Sequence, residues 1–375
     1  MSKAARNAGY TKEYNRKLFL RLLRNGPLSR AEIARQMGLT RAAASLIADE
    51  LLQEGRIQEL APTGPSQLGR TPVPLMLQKD AAYAVGIYLN RSVCTIGLVN
   101  LRGDVLHRES LDLGGQPLRP LVERLSSILA QANLPADRLI GIGISAPGPL
   151  DGESGRILNP PHFSLWHQTD IGPALEEALS VPVYLENDAS CLARYHLGKP
   201  EAQGSENFLL LLADGGLGSG LITHGKVLKG ARYFTGELGH ISINYQGPEC
   251  ACGNRGCLEH YASIPNLLQG TPYKTWQQVV NALPEAEAVR LVAKEAEYLA
   301  VGITTMTNLV SIDTVLLAGD LLCSASHLGP ALEAQVNQRI MRRDILPIRV
   351  LPARSGLDDH IKAAADAAFA RYLMV

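Results

Sequence analysis

No run of about eighteen apolar residues occurs in this 375-residue chain, so no membrane-spanning helix is expected. The sequence starts polar and basic, without the apolar stretch of a secretory signal. Net charge is missing too, since 36 Lys and Arg balance 36 Asp and Glu. Cysteines number only six, and three of them crowd into eight positions, which does not read as a disulfide framework. A reducing cytoplasm is the compartment these absences imply. Apolar residues make up 46%, enough for a packed globular protein. The length exceeds one ordinary core, so two or three domains are expected.

The charge balance is uneven along the chain. Residues 1–80 carry 13 Lys and Arg against 7 Asp and Glu, and the remainder carries 23 against 29. A basic head on an acidic body points to a polyanion as the partner of the head. Residues 14–24 place Leu18, Phe19, Leu22 and Leu23 at helical spacing, and Asn25-Gly26-Pro27 stops that helix. Ser29 and Glu32 form a capping-box pattern that opens a second helix over 29–38, with Ile33 and Met37 inward. Gly38 turns the chain, and Thr40 caps a third helix over 40–55. Its expected buried stripe is Leu46, Ile47, Leu51 and Leu52.

This is a helix-turn-helix pattern, in which the start of the second helix of the pair meets base edges in the major groove. The candidate DNA contacts are Ser29, Thr40, Arg41, Ala42, Ala43 and Ser45. Arg41 suits a guanine edge or a phosphate, Ser45 donates or accepts, and the alanines let the backbone come close. Residues 56–60 and 73–77 read as short strands around a Gly/Pro/Ser loop, a β-wing. Arg70 near its tip is a candidate minor-groove probe.

Beyond the wing, strands alternate with helices. Residues 81–99 read as two strands, 105–108 as a third and 118–132 as a helix. The buried strand 139–145 ends in Ala146-Pro147-Gly148-Pro149, and strand 181–185 runs into Glu186-Asn187-Asp188. Residues 208–212 and 220–223 form a hairpin around a glycine-rich turn. A long helix over 286–310 precedes strand 314–317, which ends at Ala318-Gly319-Asp320, and 359–373 is a last amphipathic helix. The class is α/β, and two lobes with a cleft between them fit the length.

The densest chemistry lies at 239–259, GHISINYQGPECACGNRGCLE, where His240, Cys250, Cys252 and Cys257 fall within eighteen residues. A tight Cys-x-Cys-Gly-x-x-Gly-Cys loop brings such donors to the ~2.0–2.3 Å that a tetrahedral ion needs, so a structural Zn²⁺ is expected. Glu237 and Glu259 flank the ligands, and the metal loop would fix both carboxylates in space.

The cysteine knot, the Pro-Gly-Pro strand end, the Glu-Asn-Asp turn and the glycine hairpin, in this order, resemble the ROK family of sugar kinases and transcriptional repressors. The winged head resembles the repressor branch. The resemblance implies an actin/hexokinase-like (ribonuclease H-like) two-lobed body behind a winged helix-turn-helix at 1–78. A first lobe would span 79–198 and be completed by a helix at 357–375. A second lobe at 199–356 would hold the zinc. It implies sugar contacts at Asn159, Asn187, Asp188, Glu237, His240 and Glu259, with Asp188 at the place of a kinase's general base.

The same resemblance exposes departures where a kinase cradles ATP. Its Asp-x-Gly-Gly-Thr turn reads Tyr88-Leu89-Asn90-Arg91-Ser92 here. Gly215 stands at a Thr position, Asp214 precedes it, and Ala318-Gly319-Asp320 replaces a glycine run. No ATP and no catalytic residue are therefore expected. The expected function is a sugar-responsive DNA-binding repressor of carbohydrate genes, partnered by an operator duplex, a sugar effector and its own copies in a dimer or tetramer. The alternative is a ROK-type sugar kinase with an appended head. A protein partner as releasing agent is left open by the residues.

Overall fold

The computed structural model describes residues 8–24, 26–61, 73–91, 93–115 and 117–373. The chain begins with three helices, α1 (Ala8–Leu23), α2 (Arg30–Met37) and α3 (Arg41–Gln53). Ser29 caps α2 in a full capping box with Glu32, and Gly38 ends it in the left-handed region. Thr40 accepts from the Ala43 amide to cap α3. Strands β1 (Leu28–Ser29), β2 (Ile57–Glu59) and β3 (Pro74–Leu77) form a small antiparallel sheet in the order β1-β3-β2. Arg70 falls in the β2–β3 connection, outside the described residues.

The expected stripe of α3 needs a correction. Ile47 and Leu51 are buried, but Leu46 is 63% exposed, and Ala44 and Ala48 take the inward positions instead. Alanines one turn before Ile47 and Leu51 complete the face, which leaves Leu46 beside Ala42, Ser45 and Asp49 on the outer side.

The body holds two five-stranded sheets with matching connectivity. The first uses β4 (Tyr83–Leu89), β5 (Cys94–Asn100), β6 (Val105–Leu111) and β7 (Leu139–Ala146). After a ribbon of β8 (Leu150–Asp151) and β9 (Arg156–Ile157) it is completed by β10 (Val183–Asn187), in the order β10-β7-β4-β5-β6. The second uses β11 (Phe208–Ala213), β12 (Leu217–Thr223), β13 (Lys226–Val227), β14 (Thr314–Gly319) and β15 (Arg349–Pro352), in the order β13-β12-β11-β14-β15. Each sheet is an antiparallel meander of three strands followed by two parallel ones.

Nine helices complete the described body. They are α4 (Leu118–Ala132), α5 (Ile171–Leu179), α6 (Asp188–His196), α7 (Leu258–Ala262), α8 (Ile264–Leu267), α9 (Trp276–Asn281), α10 (Ala286–Val310), α11 (Ala325–Arg339) and α12 (Leu357–Tyr372). The expected division at 198 leaves α6 with the first lobe, yet its Ala189, Leu192 and Ala193 pack with Phe208, Leu210 and Ile222 of the second sheet.

The placement of α12 organises the molecule. It lies on the first sheet at a distance only glycine allows: a Cβ on Gly143 would sit 1.8 Å from the Ala364 carbonyl oxygen, and one on Gly86 2.1 Å from that of Ile361. Its C-terminal end shares a core with the head, where Phe369 and Leu373 cluster with Phe19, Leu23, Leu51 and Leu75. The N-terminal unit is thus continuous with the body through a core that α12 shares with Ala84, Val99 and Leu101 of the first sheet's side.

Candidate functional site

The strand end of β10 and the start of α6 set the first side of the cleft. Asn187 is the N-cap of α6 and accepts from the Ser190 amide, which fixes its side chain. Its amide donates to Asp188 Oδ1 at 3.1 Å, and the Ala189 N–H donates to the same oxygen at 2.7 Å. Burial raises the Asp188 carboxyl from 3.8 to about 7, with added repulsion from Asp214 and Glu237 and opposing help from the Ala189 amide and Arg91.

The second side comes from the other lobe. Gly148, in the Pro-Gly-Pro turn after β7, lies between the lobes: a Cβ there would be 3.3 Å from Glu237 Oε1 and 3.5 Å from Asn187 Nδ2. Desolvation and repulsion from Glu259 push the Glu237 carboxyl up, against the pull of His240. Glu259 sits in the first turn of α7, and its Oε2 accepts from the Leu217 amide at 2.8 Å, so it bridges to the glycine hairpin. The structure therefore brings Asn187, Asp188, Glu237 and Glu259 together. Asn159 is exposed on the loop after β9. The Pro161 carbonyl of that loop faces Arg91, and His167 Nε2 is 2.8 Å from the Pro160 oxygen.

His240, Cys250, Cys252 and Cys257 form one cluster whose ligand atoms lie within 4.8 Å of each other. Cys252 Sγ is 3.7 Å from Cys257 Sγ, and Cys250 Sγ is 3.7 Å from His240 Nδ1. Donors at 2.3 Å on a tetrahedron stand about 3.8 Å apart, so the spacing and chemistry of this set fit a zinc ion. With Nδ1 on the cysteine side, Nε2 of His240 is the nitrogen left for another ligand. Glu259 follows Cys257 by two residues, and Glu237 precedes His240 by three, so the loop orients both acids.

The glycine hairpin between β11 and β12 is occupied by a side chain. Arg91, at the β4–β5 turn, donates from Nη1 to the Asp214 carbonyl at 2.6 Å and reaches the Pro161 carbonyl at 3.5 Å. A Cβ on Gly216 would lie 2.7 Å from Arg91 Nη2, and one on Gly215 2.9 Å from Nη1. Tyr88, near the end of β4, donates its hydroxyl to the Asp214 carboxylate and stacks on His360 with centroids 4.1 Å apart. Sequence reading saw Arg91 as a departure, but its reach across the cleft depends on tertiary placement.

On the head, Arg41 and Ala42 are exposed, and Ala43 and Ser45 are half-buried on the same α3 start. Thr40 accepts from an amide as the cap, which leaves its hydroxyl proton free to donate. Ser29 is a correction: it is buried, its hydroxyl is engaged with Glu32, and it is withdrawn from the set of base contacts. Leu46 is an exposed apolar side chain on α3.

The family model described as ROK family matches residues 84–368. The xylose repressor of Bacillus subtilis (strain 168) is 28% identical over 358 residues, covering 92% of this chain and 92% of that protein. A solved structure described as a ROK family transcriptional regulator, homolog of the E. coli Mlc protein, aligns with a TM-score of 0.80 and 25% identity over 97% of each chain. The ROK hexokinase from Thermus thermophilus aligns with a TM-score of 0.66 and 27% identity, covering 77% of this chain and 99% of the hexokinase. The regulator spans nearly all of this chain, whereas the hexokinase leaves part of it unmatched.

Proposed function

The chain belongs to the ROK family, and we propose that it is a DNA-binding transcriptional repressor of carbohydrate genes whose body binds a sugar and transfers no phosphoryl group. The observation that carries this reading is Arg91 in the glycine hairpin. Phosphoryl transfer needs close backbone donors around a triphosphate. Here a guanidinium takes that space and ties the two lobes together. The acid cleft beside it keeps Asn187, Asp188, Glu237 and Glu259, which accept and donate to vicinal hydroxyls.

Zinc held by His240, Cys250, Cys252 and Cys257 supplies rigidity, fixing Glu259 and leaving His240 Nε2 for the sugar. Asn159 closes the set from its loop. Arg41, Ala42, Ala43, Ser45 and Thr40 present the recognition helix, and Arg70 extends the wing towards the minor groove. Two heads in a homodimer or higher oligomer grip a pseudo-palindrome in the cytoplasm. Among the described residues, no helix is long and apolar enough to cross a membrane. Sugar bound in the cleft favours the weakly DNA-binding arrangement, and operator DNA must then weaken sugar binding by the same factor.

Gel shift with genomic fragments, with and without a hexose, pentose and N-acetylhexosamine panel, tests this. A sequence-specific shift that a sugar releases, and that Arg41→Ala weakens, is expected. No specific shift under any condition sinks the reading.

Two observations favour the kinase alternative. A cavity of about 520 Å³ opens at the Gly319-Asp320 turn, lined by Lys274, Trp276 and Cys323, and Asp188 retains a base's pKa. Sugar-dependent ADP release at roughly 1–100 per second, lost in Asp188→Asn, would establish it instead.

A further inference from the structure

A chain of charged side chains runs from the cleft to the head. Lys229 Nζ lies 2.8 Å from Glu186 Oε1, and Arg194 Nη1 contacts Glu186 Oε2. Arg194 Nε is 2.9 Å from Asp366 Oδ2, and Arg24 Nη2 is 2.6 Å from Asp366 Oδ1. Glu186 and Asp366 are 7% and 8% exposed. Arg194 also donates to the Ala363 carbonyl at 3.2 Å, and the Arg24 guanidinium lies 5.3 Å from the Phe369 ring centroid.

Each link sits on a functional element. Glu186 immediately precedes Asn187, and Arg194 lies on α6, the helix that Asp188 begins. The Glu186–Arg194 pair therefore ties the strand end before Asn187 to the helix that follows Asp188. Asp366 is on α12, and Arg24 follows directly on α1 of the head. One carboxylate thus holds two guanidiniums, one from the cleft helix and one from the DNA-binding head.

Stability alone is a poor reason for this arrangement. Desolvating buried ion pairs costs as much as their attraction returns, and apolar residues of equal volume serve as well. What paired guanidiniums on one carboxylate do provide is direction, because each oxygen fixes one partner. Asp188 and Arg194 lie on the same nine-residue helix, so a displacement of one moves the other.

We infer that Asp366 is the positioning residue that transmits cleft occupancy to the head, by sharing its carboxylate between Arg194 and Arg24. The inference rests on the repressor reading above and names its regulation. Sugar that draws Asn187 and Asp188 inward shifts α6, Arg194 pulls on Asp366, and the Arg24 pair loosens. The head then loses the orientation that grips DNA.

The test uses the full chain, a genomic fragment that the wild type shifts, and xylose, glucose and N-acetylglucosamine as probes. Three quantities are read: the sugar-induced rise in melting temperature, DNA affinity without sugar, and the fold-loss of DNA affinity on adding sugar. Wild type is expected to show a loss on the order of 5–150-fold with one of the sugars. Arg24→Gln, at a partly open position, is expected to keep the sugar-induced rise in melting temperature, to lower DNA affinity without sugar towards the sugar-bound level of wild type, and to reduce the fold-loss on adding sugar to less than about twofold. Asp366→Asn is expected to do the same, with partial recovery in Asp366→Glu. A folded Arg24→Gln protein with wild-type fold-loss overturns the inference alone. Wild type that binds DNA yet responds to none of the sugars overturns both the inference and the sugar-effector part of the reading.

Discussion

Asp188 is the carboxyl on which pH acts most strongly in the cleft. In the folded chain it keeps its proton up to about 7, against an ordinary value of 3.8. The folded state therefore binds the extra proton between those limits, and stability falls as pH rises through that window, by up to about 1.4 kcal/mol per unit. Above the folded value the dependence levels off. Urea unfolding from about pH 5 to 8 compares wild type with Asp188→Asn. The advantage of wild type is expected to shrink with rising pH and then stay flat; an advantage that grows with pH contradicts the assignment. At this scale the metal donors were legible because Cys250, Cys252 and Cys257 are close in sequence. Leu46 was misread because the small Ala44 and Ala48 do not register as an apolar stripe, although they fill it. Ser29 was legible as a cap but not as a buried one.

Elements with strong periodicity and clear ends were readable. Helices α4 and α10 run over the same residues that the sequence pattern gives, 118–132 and 286–310. Helices α6 and α11 were not, since α6 has only nine residues and α11 carries Pro330 inside a largely polar stretch. The cysteine loop is the element whose donors are grouped as a metal ion requires. Cys250→Ser is expected to drop bound zinc from about one per chain to near zero and to lower the melting temperature. Elemental analysis of freshly purified protein beside a thermal melt checks both, and wild type without zinc removes the premise. Because Glu259 follows Cys257 in α7, the same variant should also bind sugar less tightly.

The largest feature hidden from the sequence is the union of head and body. Basic head and acidic body read as separable units, and nothing local in residues 357–375 marks a helix with two partners. The structure gives α12 an alanine-rich side for Gly86 and Gly143 and an aromatic end for the head. Removing residues 1–78 would uncover Phe369 and Leu373 to water. Such a truncated body is expected to melt at lower temperature than the full chain and to self-associate in size-exclusion chromatography. A monodisperse truncated body of equal melting temperature would mean that this shared core contributes little.

The Arg24–Asp366 bond also sets an order of events during synthesis. Its two residues are separated by roughly 340 positions, so at about 5–20 residues per second the ribosome needs on the order of tens of seconds to make the second after the first. Through that interval the nascent three-helix unit lacks its anchor. Until α12 is made, the Arg24 guanidinium has no Asp366 to pair with, so the head reaches its anchored arrangement only in a finished polypeptide.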